Sequence, residues 1–352
     1  MNTKDKRVLL VTLGILLVIA LYFFIPRSPI EVDSNYRLVM GTFARVVTIA
    51  ADRNAANKCI DAAFAEINKV DALMSKYKSN SEISIVNRDG FNRAVKVSDS
   101  VYEVLQRSIE FSKLTDGAFD ITVGPLMDLF HSSEKTGVAP SKEEIAQAET
   151  KVGFEKLKLN DQNKTVRFTV DGIQLDLGGI AKGYAVDRAI EAAQKAGAIG
   201  AMVDVGGNIR CFGAAPKGKD NWLIGVQDPK AAKNLNLQLQ NRGGNDYLLT
   251  LKFNDKAIAT SGDYQQFIII NGKRYSHILN PHTGTSAEGL SSVTIITDNA
   301  TDADALSTSV SVMGIEKGLA LIEKLPNTEA ILLTSPPNSK LIKTSGAERY
   351  IK

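Results

Sequence analysis

The chain is organised around one stretch, Leu175-Asp176-Leu177-Gly178-Gly179-Ile180-Ala181-Lys182-Gly183-Tyr184-Ala185-Val186-Asp187. Its pattern predicts an extended apolar run that ends in two glycines, followed by an amphipathic helix that runs to about Gly197. We expect Gly178 and Gly179 to adopt positive φ and to let the backbone approach a ligand closely. The helix start offers free N–H groups and a positive dipole end, which suit a phosphate, and Lys182 adds a positive charge beside them.

Taken alone, this stretch has two interpretations. It can be an ordinary strand, glycine turn and helix, which many folds contain, or it can be a nucleotide site. It is not a Walker loop, because Gly183 follows Lys182 where Ser or Thr is required, and it is not a Gly-x-Gly-x-x-Gly fingerprint. The other motifs of the chain therefore decide between the two.

Length and composition indicate a globular chain with no excess of positive charge beyond its amino terminus. The 352 residues suffice for one large domain or two ordinary ones, and a hydrophobic content of 44% allows a sizeable core. The net charge of +3 lies within residues 1–27, so the rest is formally neutral and lacks the positive field that nucleic-acid binding requires. Cys59 and Cys211 do not have the spacing of metal ligands, and a disulfide between them stays open.

The amino terminus predicts a membrane anchor. Residues 8–25 form an uncharged apolar run, which as a helix spans roughly 27 Å, close to the hydrocarbon thickness of a bilayer. Lys4, Lys6 and Arg7 precede it, so the positive-inside bias places them in the cytoplasm and the remainder of the chain outside. The alternative is a cleaved signal peptide, which usually has a shorter apolar region and a cleavage site of small residues.

The predicted organisation is a single α+β catalytic domain of mixed sheets and helices behind this anchor. Residues 1–27 form the cytoplasmic stub and the transmembrane helix, residues 28–35 a linker, and residues 36–352 the domain. Periodicity and turn signals predict a strand over residues 36–50 with a bulge at Met40-Gly41-Thr42, helices over residues 55–77 and from Ser98, and a hairpin or meander over residues 157–177. They also predict a capping box of Ser141 and Glu144 before a short helix, a type I′ hairpin at Asn271-Gly272, and a last long helix that ends at about Met313.

Three further features are candidates for a site. Asp120 lies in otherwise apolar company after the Asp116-Gly117 turn, and a buried carboxylate needs hydrogen-bond partners. Asp204-Val205-Gly206-Gly207-Asn208 is a second strand that ends in two glycines, so it can bring a second backbone to the same ligand. His277 lies between hydroxyl-rich segments, although a structural role is the more common one for a lone histidine.

The segment from Thr301 to Thr308 contains a candidate metal site. Asp304 and Thr308 are four positions apart on a predicted helix, so their oxygens share one face. A carboxylate with a hydroxyl makes a hard oxygen site suited to Mg²⁺, which uses few protein ligands together with phosphate oxygens. The alternative is a capped helix start with Thr301 or Asp302 as N-cap, which leaves Thr308 unexplained.

Together these motifs resemble the ApbE family of FAD:protein FMN transferases over roughly residues 40–314. Each motif is weak alone, but seven in one order make a chance match improbable. The residues that carry the resemblance are Met40-Gly41-Thr42, Asp116-Gly117-Ala118-Phe119-Asp120, the stretch over residues 176–187, Asp204-Val205-Gly206-Gly207-Asn208, Thr260-Ser261-Gly262-Asp263-Tyr264, Tyr275-Ser276-His277-Ile278 and Ala303-Asp304-Ala305-Leu306-Ser307-Thr308.

The resemblance implies an activity. Such an enzyme moves FMN from its substrate FAD to a threonine or serine hydroxyl of a partner protein, forms a phosphoester bond and releases AMP, with Mg²⁺ as cofactor. Its acceptors carry an Asp/Ser-Gly-Ala-Thr/Ser motif, and we expect them among the subunits of membrane redox complexes. The chain would be a single-pass protein of the inner membrane, with its catalytic domain in the periplasm or otherwise outside the cytoplasm.

The resemblance also implies roles for individual residues. His277 would be the base for the acceptor hydroxyl, while the Gly179 carbonyl, Asp304 and Thr308 would hold Mg²⁺. The contacts to FAD would come from Met40, Tyr77, Ala118, Phe119, Asp120, Asp176, Lys182 and Ile278. A metal and a lysine at a helix start stabilise charge on phosphoryl oxygens, so these roles agree with the chemistry of the residues.

The sequence departs from the family in two places and leaves two other functions open. Asn280-Pro281-His282-Thr283-Gly284 stands where an Asp-Pro-x-Thr-Gly turn is usual, and the amino terminus has no lipidation cysteine. The same site could instead hydrolyse FAD to FMN and AMP, with water in place of the acceptor hydroxyl. It could also bind FAD without catalysis, in which case Asp304 and Thr308 would not be needed.

Overall fold

The computed structural model describes residues 28–216, 218–229, 247–263 and 267–352, together with Arg7 and Thr12. The strands β1 to β16 are Ile30–Asp33, Arg37–Val39, Thr42–Ala50, Val95–Lys96, Leu157–Asn160, Thr165–Phe168, Gly200–Val205, Asn208–Gly213, Trp222–Gln227, Tyr247–Phe253, Ala257–Gly262, Phe267–Ile270, Lys273–Ser276, Leu290–Thr297, Glu329–Thr334 and Leu341–Lys343. The helices α1 to α7 are Arg53–Met74, Glu82–Asp89, Asp99–Leu114, Gly124–Thr136, Lys142–Glu149, Ala181–Lys195 and Ala300–Ile322.

One nine-stranded sheet of antiparallel pairs forms the centre of the fold. Its order is β1-β3-β7-β8-β11-β14-β15-β16, with β2 paired to β3. Strand β14 is buried along its whole length, which fits its run of hydrophobic and β-branched residues in the interior of a sheet. The described residues therefore have the mixed α+β architecture that the sequence predicts.

Both faces of the sheet are covered. Helices α1, α6 and α7 pack on one face, where the largest hydrophobic core includes Ile67 and Ile190. The ribbon of β9 and β10 covers the other face, where Trp222 and Phe253 pack against residues such as Ile258. A third, smaller core lies between α4, α5 and the β12–β13 hairpin. This arrangement places the starts of α6 and α7 side by side above the sheet.

One helix among the described residues, α7, is long and apolar enough to cross a membrane by length and composition. It packs against α6 and against β11 and β14, so its apolar surface belongs to the core of the protein. The backbone leaves the helical region at Gly314, close to the end at Met313 that the sequence predicts. The predicted anchor over residues 8–25 lies outside the described residues, apart from Thr12.

Several predicted elements change in detail. Residues 36–50 form the hairpin β2–β3 and not one bulged strand, because Met40 and Gly41 both have positive φ (52° and 69°), the geometry of a type I′ turn. The predicted type I′ hairpin at Asn271-Gly272 is confirmed, with φ of 48° and 73°. Its second strand ends at Ser276, so His277 follows the strand and does not belong to it.

Helix starts follow the sequence closely, with one exception. Ser98 accepts a hydrogen bond from the N–H of Val101 at the start of α3, and Ser141 and Glu144 form the predicted capping box of α5. Helix α7 is capped by Asn299 and not by Thr301 or Asp302. The side-chain oxygen of Asn299 accepts from the N–H of Asp302, which places Asp302 inside the helix.

Candidate active site

The site begins where the first turns of α6 and α7 touch. A Cβ atom on Gly183 would lie 2.1 Å from the carbonyl oxygen of Ala300 and 2.8 Å from Cβ of Asp304. No side chain fits there, so glycine is required for the two helices to come this close. The first turn of α6, which carries Lys182, therefore lies directly against the turn of α7 that carries Asp304.

Asp304 is 3% exposed and points at the start of α6. Its Oδ2 accepts a hydrogen bond of 2.9 Å from the N–H of Gly183, and its Oδ1 lies 3.8 Å from Nζ of Lys182. Burial raises the pKa of the Asp304 carboxyl above its ordinary value, although Lys182 and the N–H of Gly183 act in the opposite direction. Lys182 also donates a hydrogen bond of 2.5 Å to the carbonyl of Gly178, across the turn that precedes its helix.

Gly179 lies against Thr308 of α7. A Cβ atom on Gly179 would stand 3.0 Å from Oγ1 of Thr308 and 3.2 Å from the ring of Phe119, so the backbone here packs closely on both side chains. The prediction of positive φ at Gly178 and Gly179 is wrong, because neither residue lies in the left-handed region. These glycines serve close packing, whereas Gly206 and Gly207 of the second diglycine turn do have positive φ, 61° and 87°.

Gly179, Asp304 and Thr308 therefore meet at one place and offer a carboxylate, a hydroxyl and a peptide carbonyl. These are hard oxygen donors of the kind that Mg²⁺ binds, so the residues fit this ion. Asn208 lies beside them: it hydrogen-bonds the Asp304 carboxylate, it is 3% exposed, and its Oδ1 has no hydrogen-bond partner within the described part of the chain. Within the described ranges, no three His, Cys, Asp or Glu side chains are grouped so that they could hold a metal ion.

The segment before Gly178 is extended, as predicted, but it does not join a sheet. The side chain of Asn87 holds it instead, by accepting from the N–H of Leu175 and donating to its carbonyl, at 2.6 and 3.0 Å. The N–H of Asp176 bonds the carbonyl of Ile121 at 2.8 Å. The Asn87 side chain thus holds this segment from one side, beside an isolated parallel bridge between Gln174 and Val123.

Tyr77 and Lys76 line a surface pocket of about 470 Å³, and Lys76 pairs with Asp176. Nζ of Lys76 stands 3.1 Å from the Asp176 carboxylate and 2.9 Å from that of Asp128, and these two ion pairs raise its pKa against the effect of burial. The side chain of Tyr77, 77% exposed, lies beside Lys76 at the edge of this pocket. An exposed aromatic ring next to an ordered ion pair is suited to stacking on a planar ligand.

The segment Ala118-Phe119-Asp120 is buried, as predicted for Asp120. Oδ1 of Asp120 accepts from the N–H and the hydroxyl of Thr122, and Oδ2 accepts from the N–H of Phe154 at 2.7 Å. Burial raises the pKa of the Asp120 carboxyl, while these hydrogen bonds lower it. The carboxylate of Asp120 therefore braces the interior, and the ring of Phe119 reaches Gly179.

The turn that comes shortly after His277 and Ile278 contacts the start of this segment. Nε2 of His282 lies 2.8 Å from the carbonyl oxygen of Asp116, so the Asn280-Pro281-His282 turn contacts the turn that precedes Ala118. His277 is half-buried and Ile278 is buried. The departure from the family pattern at Asn280 leaves a formed turn, in which Oδ1 of Asn280 accepts from the N–H of His282.

The turn that carries Met40 lies against the second diglycine turn. The N–H of Gly206 bonds the carbonyl of Phe43, and a Cβ atom on Gly206 would lie 2.9 Å from Thr42. The β2–β3 turn therefore packs on the turn that leads to Asn208. The sequence did not single out Asn87, Lys76 or Asn208 for the roles seen here, because each acts on a partner that is remote along the chain.

The chain is similar to proteins of one family. Residues 40–332 match the ApbE family. The chain is 32% identical over 289 residues to the FAD:protein FMN transferase of Haemophilus influenzae, with 80% of each chain covered. It is 29% identical over 322 residues to the FAD:protein FMN transferase of Treponema pallidum, which covers 87% of this chain and 86% of that protein.

Solved structures show the same similarity. The ApbE protein of Thermotoga maritima is 31% identical, with a TM-score of 0.78 over 92% of this chain and 100% of its own. The flavin transferase ApbE of Vibrio cholerae is 28% identical, with a TM-score of 0.76 over 92% of this chain and 99% of its own. The similarity therefore extends over nearly all of the described fold.

Proposed function

The chain belongs to the ApbE family, and from this premise we propose that it transfers FMN from FAD to a threonine or serine hydroxyl of a partner protein. It is an enzyme of the FAD:protein FMN transferase class. In the reaction the acceptor oxygen bonds to the phosphorus of the FMN half of FAD. The bond between that phosphorus and the bridging oxygen breaks, and AMP leaves with that oxygen.

The meeting of Gly179, Asp304 and Thr308 beside Lys182 is the observation that carries this proposal. We assign the carbonyl of Gly179 and the side chains of Asp304 and Thr308 as the ligands of Mg²⁺, which would supply positive charge next to the pyrophosphate. Lys182 and the positive end of α6 add to that charge, since both lie at the same place.

Binding of FAD is assigned to the residues around this point. The exposed ring of Tyr77 at the surface pocket, and the Asp176 carboxylate that pairs with the adjacent Lys76, support contacts to FAD there. The packing of Phe119 on Gly179 supports a contact near the metal ligands. The full set that we assign to FAD is Met40, Tyr77, Ala118, Phe119, Asp120, Asp176, Lys182 and Ile278.

His277 is the group that we assign to the proton of the acceptor hydroxyl. A hydroxyl is a weak nucleophile, and a neutral imidazole takes up its proton as the new bond to phosphorus forms. Two observations support this role. His277 follows β13 in a half-buried position, and the adjoining turn contacts the Asp116 carbonyl next to the proposed FAD segment.

The cellular setting follows from the amino terminus. The apolar run over residues 8–25 is the basis for proposing a single-pass inner-membrane protein with its enzyme domain in the periplasm or otherwise outside the cytoplasm. The acceptors that we propose are subunits of membrane redox complexes that carry an Asp/Ser-Gly-Ala-Thr/Ser motif. Anchoring would keep enzyme and acceptor at the same membrane surface.

The test is mass spectrometry of an acceptor domain that contains Asp-Gly-Ala-Thr, incubated with the full chain, FAD and MgCl₂. We expect a mass gain that matches FMN on the threonine, and we expect Asp304→Asn to reduce its rate by at least about a hundredfold. Asp302→Asn is the matched control, because Asp302 lies on the same helix but its carboxylate pairs with Arg107 at 2.8 Å, away from the site.

Other outcomes would favour the other functions. An unmodified acceptor with AMP and FMN in solution would mean that the enzyme hydrolyses FAD. An unmodified acceptor with intact FAD, repeated with a second acceptor, would favour a protein that only binds FAD. Equal rates for wild type and Asp304→Asn would contradict the assignment of the metal ligands.

A further inference from the structure

Asp187 is a buried carboxylate on α6 that no step of the proposed reaction uses. It is 3% exposed and accepts four hydrogen bonds. Two come from the backbone N–H groups of Ala300 and Thr301 at 2.9 and 2.8 Å, and one from the hydroxyl of Thr301 at 2.6 Å. The fourth is an ion pair with Arg210 of β8 at 2.7 Å. Asp187 thus binds the start of α7 from a neighbouring helix.

Helix α7 already has a cap of its own. The side chain of Asn299 accepts from the N–H of Asp302, as an N-cap residue does. Asp187 accepts from two other N–H groups of the same first turn, and its negative charge lies at the positive end of the helix. Its distinctive effect is therefore to tie α7 to α6, since the cap supplied by Asn299 is local to α7.

The contact is reciprocal. Asp187 lies one turn after Gly183 on α6 and bonds the first turn of α7 at Ala300 and Thr301. Asp304 lies one turn after Ala300 on α7 and bonds the first turn of α6 at Gly183. Two such contacts, one in each direction, fix both the axial position and the rotation of one helix against the other. A single hydrogen bond would leave the helices free to rotate about that bond.

Strand β8 contacts both carboxylates. Asn208 and Arg210 are two positions apart, so they project from the same face of the sheet. Asn208 hydrogen-bonds Asp304, and Arg210 pairs with Asp187. The sheet, α6 and α7 are therefore joined at Asp187 and Asp304, so the position of Asp304 depends on the contacts of Asp187.

We infer that Asp187 and Arg210 are positioning residues for the metal site: they fix α7 against α6 so that Asp304 and Thr308 stay beside Gly179. This inference rests on the proposed function, because it concerns the Mg²⁺ that the proposal places there. Residues that orient metal ligands through hydrogen bonds typically change metal affinity by 10- to 100-fold when they are replaced. We place neither Asp187 nor Arg210 in contact with the ion or with FAD.

The experiment compares Asp187→Asn with Glu329→Gln in the full chain. Glu329 is a matched control, because it is also a buried carboxylate that accepts from a threonine hydroxyl (Thr344), a backbone N–H (Gly346) and an arginine (Arg349), but on β15. Calorimetric titration with MgCl₂ measures metal affinity, and FAD affinity is measured separately in EDTA. Both variants lose stability in denaturant, since each leaves a buried N–H group without an acceptor.

We expect Asp187→Asn to weaken Mg²⁺ binding by at least about tenfold, with FAD affinity in EDTA changed less than about twofold. Glu329→Gln is expected to leave both affinities unchanged. Thr301→Val removes only the hydroxyl donor and keeps the backbone contacts. It is expected to weaken Mg²⁺ binding about two- to fivefold, and it tests the inference if Asp187→Asn does not fold.

Two results would overturn the inference. Mg²⁺ binding by Asp187→Asn or by Thr301→Val with wild-type affinity would mean that the contact only stabilises the fold. An equal loss of Mg²⁺ affinity in Glu329→Gln would mean that any loss of stability weakens the site. If the wild type neither binds Mg²⁺ nor transfers FMN, the proposed function itself is wrong. That outcome differs from failure of the inference alone, in which the wild type binds Mg²⁺ and the variants bind it with the same affinity.

Discussion

Asp120 belongs to the segment that we assign to FAD, and its carboxylate braces that segment from the interior. Its two carboxylate oxygens receive three hydrogen bonds from Thr122 and Phe154. These bonds bind the segment that carries Phe119 to the 3₁₀ turn Phe154–Lys156, which comes much later in the chain. Phe119 in turn packs on Gly179. The residue was a candidate because it is charged in apolar company, and its burial is confirmed.

Replacing Asp120 by Asn tests this role. The amide has one acceptor oxygen where the carboxylate has two, so one N–H group of Thr122 or Phe154 loses its partner in the interior. We expect the free energy of unfolding in urea to fall by about 1–3 kcal/mol. Asp171→Asn, at an exposed carboxylate, should change it by less than about 0.5 kcal/mol. An unfolding curve for Asp120→Asn that superimposes on the wild type would contradict the bracing role.

At the scale of elements, the contact between α6 and α7 places the proposed catalytic groups. The helices touch at Gly183 and Ala300, where only a glycine fits. That contact sets Lys182 beside Asp304 and Gly179 beside Thr308. Helix α6 also contacts α3, because the hydroxyl of Tyr184 donates a hydrogen bond of 2.8 Å to Glu103 of that helix.

Gly183→Ala should separate the two helices. The new methyl group would overlap the backbone of Ala300, which cannot move as a side chain can. We expect a loss of about 1–3 kcal/mol in denaturant unfolding, together with weaker binding of MgCl₂ in calorimetry. Gly318→Ala is the control, because its methyl group would press on the buried side chain of Val310 at 2.7 Å, beyond Gly314 and outside the contact between α6 and α7. Wild-type Mg²⁺ affinity in Gly183→Ala would show that the site does not depend on this contact.

The Tyr184 hydroxyl should make the free energy of unfolding depend on pH in the alkaline range. Burial and the hydrogen bond to Glu103 raise the pKa of Tyr184 to about 12, whereas an unfolded tyrosine ionises near 10. The folded state keeps the proton longer, so this stabilisation is complete below about pH 10 and is lost as the pH rises through about 12. Wild type should lose more stability over this range than Tyr184→Phe, as measured by urea unfolding. Parallel losses in the two proteins would contradict the prediction.

At the scale of the whole molecule, the strands of the central sheet all come from residues after position 27. Strand β1 begins at Ile30 and pairs with β3, so every strand of the nine-stranded sheet lies within residues 30–343. The apolar run over residues 8–25 precedes all of these strands in the chain, and we propose that it serves as an anchor.

Removing residues 1–27 tests that division. The chain over residues 28–352 should be soluble, should keep the cooperative unfolding of a folded domain, and should transfer FMN to a soluble acceptor at a rate within about threefold of the full chain. The full chain should sediment with membranes and require detergent for extraction. A full chain that remains in the soluble fraction, or a truncated chain that aggregates, would contradict the division.

The sequence by itself determined the family, the α+β class, the caps of α3 and α5, and the residues that meet at the site. These follow from local patterns: periodicity, turn residues and motif order. The tertiary structure alone decided how those residues meet. Gly183 against Ala300, Asn87 bonded to the backbone of Leu175, and Asp187 capping α7 each join positions remote along the chain. No local pattern encodes such contacts, because they depend on how helices and strands pack.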